Sequence, residues 1–187
     1  MWKTALLLVV TLIIVPFAFF FDVPLTLLQK SILTELVIIY LSAAILCFIV
    51  STISKNYSQV DKLWSLLPVV YVWVVAHHGD YAPRLLLMAA LVTAWGARLT
   101  YNFSRHGAYR LKFWAGQEDY RWQVLREKPE FDAAWKWTLF NFGFISGYQN
   151  ALILLMTLPT LVALQFAATP LGALDMIASA VILVMLV

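Results

Sequence analysis

Six stretches of this 187-residue chain are apolar over roughly the length a helix needs to cross a bilayer. A hydrocarbon core of about 30 Å takes about 20 apolar residues in a helix. The stretches are Ala5–Phe21, Ile32–Ser54, Leu63–His77, Leu85–Tyr101, Trp137–Leu158 and Leu171–Val187. In lipid every backbone N–H and C=O must find its partner inside the protein, so such segments are helices. The expected fold is therefore an all-α, polytopic transmembrane helical bundle of about six spans, forming one domain over residues 1–187. Composition agrees, with 63% hydrophobic and 12% charged residues, against about 45–50% and about 25% in soluble domains. Those values exclude a soluble enzyme, a disordered chain and a disulfide scaffold. The single Cys47 lies inside an apolar run and reads as a small buried residue. No small-x-small cleavage site follows the first stretch, where Phe19, Phe20 and Phe21 are bulky, so it reads as a retained anchor.

Charge sets the expected orientation. With the N-terminus in the cytoplasm, all but two of the 13 lysines and arginines fall on the inner side, the exceptions being Lys30 and Arg84. Basic residues collect on the cytoplasmic side of membrane proteins. The polar segment Asn102–Lys136 is thus expected in the cytoplasm, and it alone is long and polar enough to handle a water-soluble partner. The bases need no nucleic acid to explain them.

Four polar constellations stand out. In Trp95-Gly96-Ala97-Arg98-Leu99-Thr100-Tyr101-Asn102-Phe103-Ser104-Arg105, helical spacing puts Arg98, Tyr101, Asn102 and Arg105 on one stripe. Arg98 either snorkels to the headgroups or joins an anion-binding wall, since forked guanidinium groups suit phosphates. In Gln117-Glu118-Asp119-Tyr120-Arg121-Trp122, Glu118 and Arg121 have the spacing of a surface ion pair. The alternative is that Asp119 and Arg121 order a loop over a charged ligand. The aromatics around it, among them Tyr109, Trp114, Tyr120, Trp122 and Trp137, read mostly as an interfacial belt. In Asn56–Pro68, Ser58-x-x-Asp61 resembles a capping box that opens the third span. Asp61 otherwise offers an acidic group to a substrate at the membrane edge. In the fifth span, Asn141, Ser146, Tyr148, Gln149 and Asn150 either bond to neighbouring helices or line a polar cavity. No P-loop or GxGxxG occurs. His77 and His78 are adjacent, no Cys/His/carboxylate cluster joins them, and no metal is expected.

The order of these motifs resembles a family. Asn56-x-Ser58-x-x-Asp61-x-x-Trp64-Ser65, Arg84, Trp95-Gly96-x-Arg98-Leu99-x-Tyr101-x-x-x-Arg105, Glu118-Asp119-x-Arg121 and Gly147-Tyr148-Gln149-Asn150 are similar to the DUF1295 membrane proteins, relatives of the steroid 5-alpha-reductases. The resemblance runs from about Asn56 onward. It implies a helical bundle with a cytoplasm-facing NADPH pocket and hydride transfer to a conjugated C=C bond of a lipid or steroid-like enone. It implies catalytic roles for Asp61 and Tyr101, which would polarise the substrate carbonyl. It implies cofactor binding by Arg98, Asn102, Arg105, Asp119 and Arg121. The Arg-His-Pro-Asn-Tyr segment of the relatives does not occur in these 187 residues, so the chain reads as the N-terminal two-thirds of such a domain. Two rivals stay open: an S-adenosylmethionine-dependent membrane methyltransferase relative, and a non-enzymatic membrane protein or inactive short form.

Overall fold

The computed structural model describes residues 24–110, 112 and 114–186, together with residues 6, 7, 10, 11, 13 and 14, which are helical. Most of the expected first span, Ala5–Phe21, and Lys3 lie outside the described residues. Among the described residues there is no strand, and the chain is an all-α bundle.

Helix α1 runs Leu27–Ser54, starting a turn earlier than the apolar pattern suggests. Thr26 and Gln29 form a capping box: Gln29 N–H donates to Thr26 Oγ1 at 3.2 Å, and Thr26 N–H donates to Gln29 Oε1 at 2.9 Å. This satisfies helix-end donors that otherwise have no partner. The Gln29 amide then donates to the Leu161 carbonyl at 2.7 Å, tying α1 to the far end of a later helix. Ile38, Ile45, Leu46 and Ile53 stay exposed. In a bilayer that face meets lipid, which explains so large an apolar surface.

Helices α2 (Gln59–His78) and α3 (Pro83–Arg105) run antiparallel and pack on one another. Gly96 makes the approach close: a Cβ there would stand 2.6 Å from the Ser65 carbonyl oxygen. The Trp-Gly-x-Arg-Leu glycine is thus a packing residue. Ser58 does not cap α2. Its hydroxyl is engaged by the Asp119 N–H instead, so the expected capping box gives way to a tertiary contact.

The short α4 (Tyr120–Arg126) and a 3-10 turn lead into α5 (Ala134–Phe140). A π-helical segment, Asn141–Tyr148, joins α5 to α6 (Gln149–Ala163). The wider winding brings residues five apart onto one face. Ser146 Oγ accordingly donates to Asn141 Oδ1 at 3.2 Å, and Asn141 Nδ2 donates to Ser51 Oγ at 3.0 Å and Thr52 Oγ1 at 3.2 Å on α1. The helix continues through Pro159, beyond the expected end at Leu158, and finishes in a 3-10 turn at Leu164–Phe166. Buried Thr157 and Thr160 donate to Leu154 and Thr157 carbonyls nearby. Such local bonds let proline sit inside a membrane helix. Part of the Thr160–Thr169 connection is therefore helix.

Helix α7 covers Ala173–Leu186. Its 14 residues rise about 21 Å, less than a bilayer core. Among the described residues, three segments are long and apolar enough to cross: Leu27–Ser54, Gln59–His78 and Ala134–Phe166. The six-span expectation is approximate, because α3 carries Arg84, Arg98 and Arg105 and α7 is short. Of the described lysines and arginines, Lys30 and Arg84 lie at one end of the bundle and all others at the opposite end.

Candidate functional site

The basic end is organised by two segments that are 60 residues apart in sequence. The α1–α2 turn, Lys55–Ser58, follows a left-handed Lys55 (φ 55°). Against it lies the loop Trp114–Asp119. Asn56 Nδ2 donates to the Gly116 carbonyl at 3.0 Å, and Gln59 Nε2 donates to the Trp114 carbonyl at 2.9 Å. Tyr57 N–H donates to Glu118 Oε1 at 2.8 Å, and Asp119 N–H donates to Ser58 Oγ at 2.8 Å. Side chains here pair loop backbone that would otherwise lie unsatisfied at the membrane edge. Gly116 sits at φ 137°, and an added Cβ would fall on the Ala108 carbonyl, so only glycine closes this loop.

Around this clasp the charges are paired. Glu118 meets Arg126 at 2.5 Å, not Arg121 as i, i+3 spacing suggested. Arg126 stands over the rings of Tyr57 (5.0 Å) and Trp137 (5.7 Å), a cation–π arrangement. Asp119 caps α4 and takes a forked pair of bonds from Arg121, both at 2.9 Å. That hydrogen bonding holds the Asp119 carboxyl below the usual carboxylate range and raises Arg121 in turn. Asp61 accepts from Trp122 Nε1 at 3.0 Å and lies 3.7 Å from Arg121. The structure thus joins three of the expected site residues, Asp61, Asp119 and Arg121, in one network.

The others stand apart from it. Arg98 is exposed. Tyr101 is 65% exposed, with its ring 5.9 Å from the Arg105 guanidinium, so its contact is with Arg105 rather than Asp61. Asn102 is half-buried on the same last turns of α3. Arg105 lines an open pocket of about 750 Å³ with His106, Gly107, Gln117, Asp119 and Tyr120. Trp122 and Trp137 are buried rather than part of an interfacial belt, while Trp114, Tyr120 and Trp135 are exposed.

Sequence reasoning missed the part played by Lys62 and Tyr109. Lys62 is buried, and its Nζ donates to Gln59 Oε1 at 3.3 Å and to the Ala115 carbonyl at 3.2 Å. The Tyr109 hydroxyl comes within 3.4 Å of Ser65 Oγ. A lysine one position past Asp61, at a helix start, was the available signal. Deeper in the bundle, Trp64 Nε1 donates to Gln149 Oε1 at 3.1 Å, so this amide bonds across helices. Among the described residues, no three His, Cys, Asp or Glu side chains gather as a metal site would require.

The chain is 39% identical over 120 residues to "Uncharacterized protein C594.04c" of Schizosaccharomyces pombe (strain 972 / ATCC 24843), a match covering 62% of this chain and 33% of that protein. The chain thus spans about a third of the length of the curated relative it matches. No solved structure matches it significantly. The family model described as "Protein of unknown function (DUF1295)" matches residues 47–187, which include both motif segments, the pocket and the π-helical segment, and the chain belongs to that family.

Proposed function

We propose that the protein is a membrane-embedded, NADPH-dependent reductase that adds hydride to a conjugated C=C bond of a lipid or steroid-like enone, with its basic end in the cytoplasm. The observation that carries this reading is the open pocket of about 750 Å³ at the basic end, roofed by the clasped loop and bordered by Arg105. Ligand clefts of about 300–1,000 Å³ are typical of small-molecule and cofactor sites. The residues present suit a dinucleotide. Arg98 and Arg105 form no ion pair among the described residues, so their guanidinium groups are available to phosphates. Asn102, Gln117 and Tyr120 add polar groups at or near the same pocket. Arg121, already held by Asp119, serves by ordering the loop.

When bound, the cofactor supplies the hydride. The chain's own residues bind and orient it, and the surrounding apolar helices bring the lipid substrate to the same edge. Asp61, fixed by Trp122 and Arg121, lies at the membrane border where the substrate's polar group would arrive.

The test is direct titration of NADPH into protein expressed from its complete gene and held in lipid nanodiscs. A charge-assisted contact is worth about 1.5–3 kcal/mol. Arg98→Ala and Arg105→Ala should therefore each weaken binding about 10- to 150-fold. Unchanged affinity in both folded variants reduces these arginines to headgroup anchors. Binding of S-adenosylmethionine instead of NADPH would favour methyl transfer.

A further inference from the structure

A second cavity, of about 650 Å³, opens beside the clasp at the basic end. Ser54, Asn56, Arg110, Trp114, Gly116 and Glu118 line it. Glu118 is the one described residue common to both cavities, so the loop Trp114–Asp119 presents different groups to each. The walls are fixed in advance. The Trp114 carbonyl accepts from Gln59 and the Gly116 carbonyl from Asn56, so a ligand has little chain to order on arrival. The charge left over is positive. Both Glu118 oxygens are taken by groups that do not line the cavity, Oε1 by the Tyr57 N–H and Oε2 by Arg126. Arg110 is exposed and forms no ion pair among the described residues. The same holds for Lys55, which stands between Ser54 and Asn56, and for Lys112, two residues from both Arg110 and Trp114. A forked guanidinium with two lysines close by in sequence suits a phosphate group.

The depth of the cavity says where that phosphate comes from. Ile49 and Ile53, four residues apart on one face of α1, are 44% and 79% exposed and meet lipid. Ser54, at the cavity, is the next residue, and a helix rises only about 1.5 Å per residue. The cavity therefore begins where the lipid-facing surface of α1 ends, at headgroup height. Trp114 is 54% exposed there, and indoles collect at that level. We propose that this second cavity binds the phosphate headgroup of an anionic phospholipid, with Arg110 as its principal contact, Lys55 and Lys112 adding charge, and Trp114 lying at the interface. The acyl chains would run along the Ile49 and Ile53 face of α1. Basic pockets between membrane helices hold acidic headgroups in this way. The bound lipid would brace the outer wall of the clasp, because Asn56, Gly116 and Glu118 belong to both. The site needs no nicotinamide and stands apart from the reductase reading.

The experiment uses the protein from its complete gene, purified in an uncharged detergent and read by native mass spectrometry against added lipid. The wild type should retain a single phosphatidylglycerol at least about tenfold more tightly than phosphatidylcholine, whose choline cancels the phosphate charge beside the bases. Arg110→Ala should weaken that retention about tenfold or more, the worth of one charge-assisted contact. Arg84→Ala, at the opposite end of the bundle, should leave it unchanged. Equal retention of the two lipids by the wild type overturns the proposal, and this arm needs no variant to fold. Retention that survives Arg110→Ala overturns it too. So does glycerophosphoglycerol, the same headgroup without acyl chains, binding as tightly as the lipid, because the cavity would then take a soluble phosphate. Displacement of the lipid by NADPH also overturns it and assigns the cavity to the cofactor. Failure to bind NADPH at all touches the reductase reading alone.

Discussion

The two ends of the bundle are stitched in different ways. At the basic end, a turn and a loop far along the chain pair each other's backbone through side chains, as with Asn56 and Gly116, Ser58 and Asp119, and Glu118 and Tyr57. At the other end the links are mixed: Gln29 reaches the Leu161 carbonyl and Arg84 the Phe166 and Pro170 carbonyls, and ion pairs join the helices. Arg84 meets Asp175 at 3.0 Å, and His78 meets Glu35 at 2.8 Å. Backbone-to-side-chain pairing fixes the course of a loop, whereas a side-chain pair only joins two helices already formed. A cleft at the basic end therefore has rigid walls made of irregular chain. Among the described residues the opposite end has fewer such bonds to irregular chain, from Arg84 to the Phe166 and Pro170 carbonyls and from Gly172 to Asp175.

This contrast can be broken by substitution. Glu118→Ala strands both the Tyr57 N–H and Arg126, and removing one partner of a buried ion pair costs about 3–5 kcal/mol. Because Arg126 retains some exposure, a loss of about 3 kcal/mol is expected, read by unfolding in mixed detergent micelles. An unchanged unfolding midpoint would mean the clasp is incidental. Gly116→Ala comes next. It forces a side chain into a left-handed position against Ala108, with a cost of about 1–3 kcal/mol. The same change should reshape the pocket and weaken nucleotide binding, measured by titration.

Arg84→Ala sharpens the comparison from the other side. Its pair with Asp175 is partly exposed and contributes at most about 1 kcal/mol, and its long bonds to the Phe166 and Pro170 carbonyls are exposed to water and add little. Nucleotide affinity should not move. If this variant proves as damaging as Glu118→Ala, the two ends are equivalent and the contrast fails.

The smallest effect concerns acid. Asp119 has a depressed folded-state pKa because of Arg121. Its contribution is therefore complete above the unfolded carboxylate pKa of about 3.9, and it fades as pH falls through the lower folded value. Asp119→Asn should be less stable than the wild type near neutral pH. The two should converge in strong acid. Parallel stability curves down to the lowest pH would remove Asp119 from the clasp.

Much of the scaffold was legible because lipid imposes a simple rule, a run of about 20 apolar residues. The α1, α2 and Ala134–Phe166 spans follow from it. Boundaries were harder, since Thr26 and Gln29 extend α1 through a capping box outside the apolar run. The motif residues Asp61, Asp119 and Arg121 stand out in the sequence, and the structure brings them together in one network. Their docking was not legible, because hydrogen bonds between residues about 60 apart leave no periodic trace. Ser58 shows the limit well. Its local spacing suggests a cap, yet the Asp119 amide claims it. Tyr109 was equally hidden, as nothing nearby in sequence announces its approach to Ser65.

The π-helical segment Asn141–Tyr148 has a consequence for how this gene can change. A helix advances about 100° per residue, and a π turn accommodates an extra residue within that winding. The segment therefore sets the phase between α5 and α6. Trp137 faces Tyr57 on one side of it, and Gln149 faces Trp64 on the other. Deleting a single residue inside the segment would rewind it to α-helix and leave the two halves near their present phase, at the loss of the Ser146–Asn141 bond. The same deletion in the regular turns on either side would swing one half by about 100° and break one of those two contacts. Single-residue deletions should thus be better tolerated between Asn141 and Tyr148 than in α5 or α6.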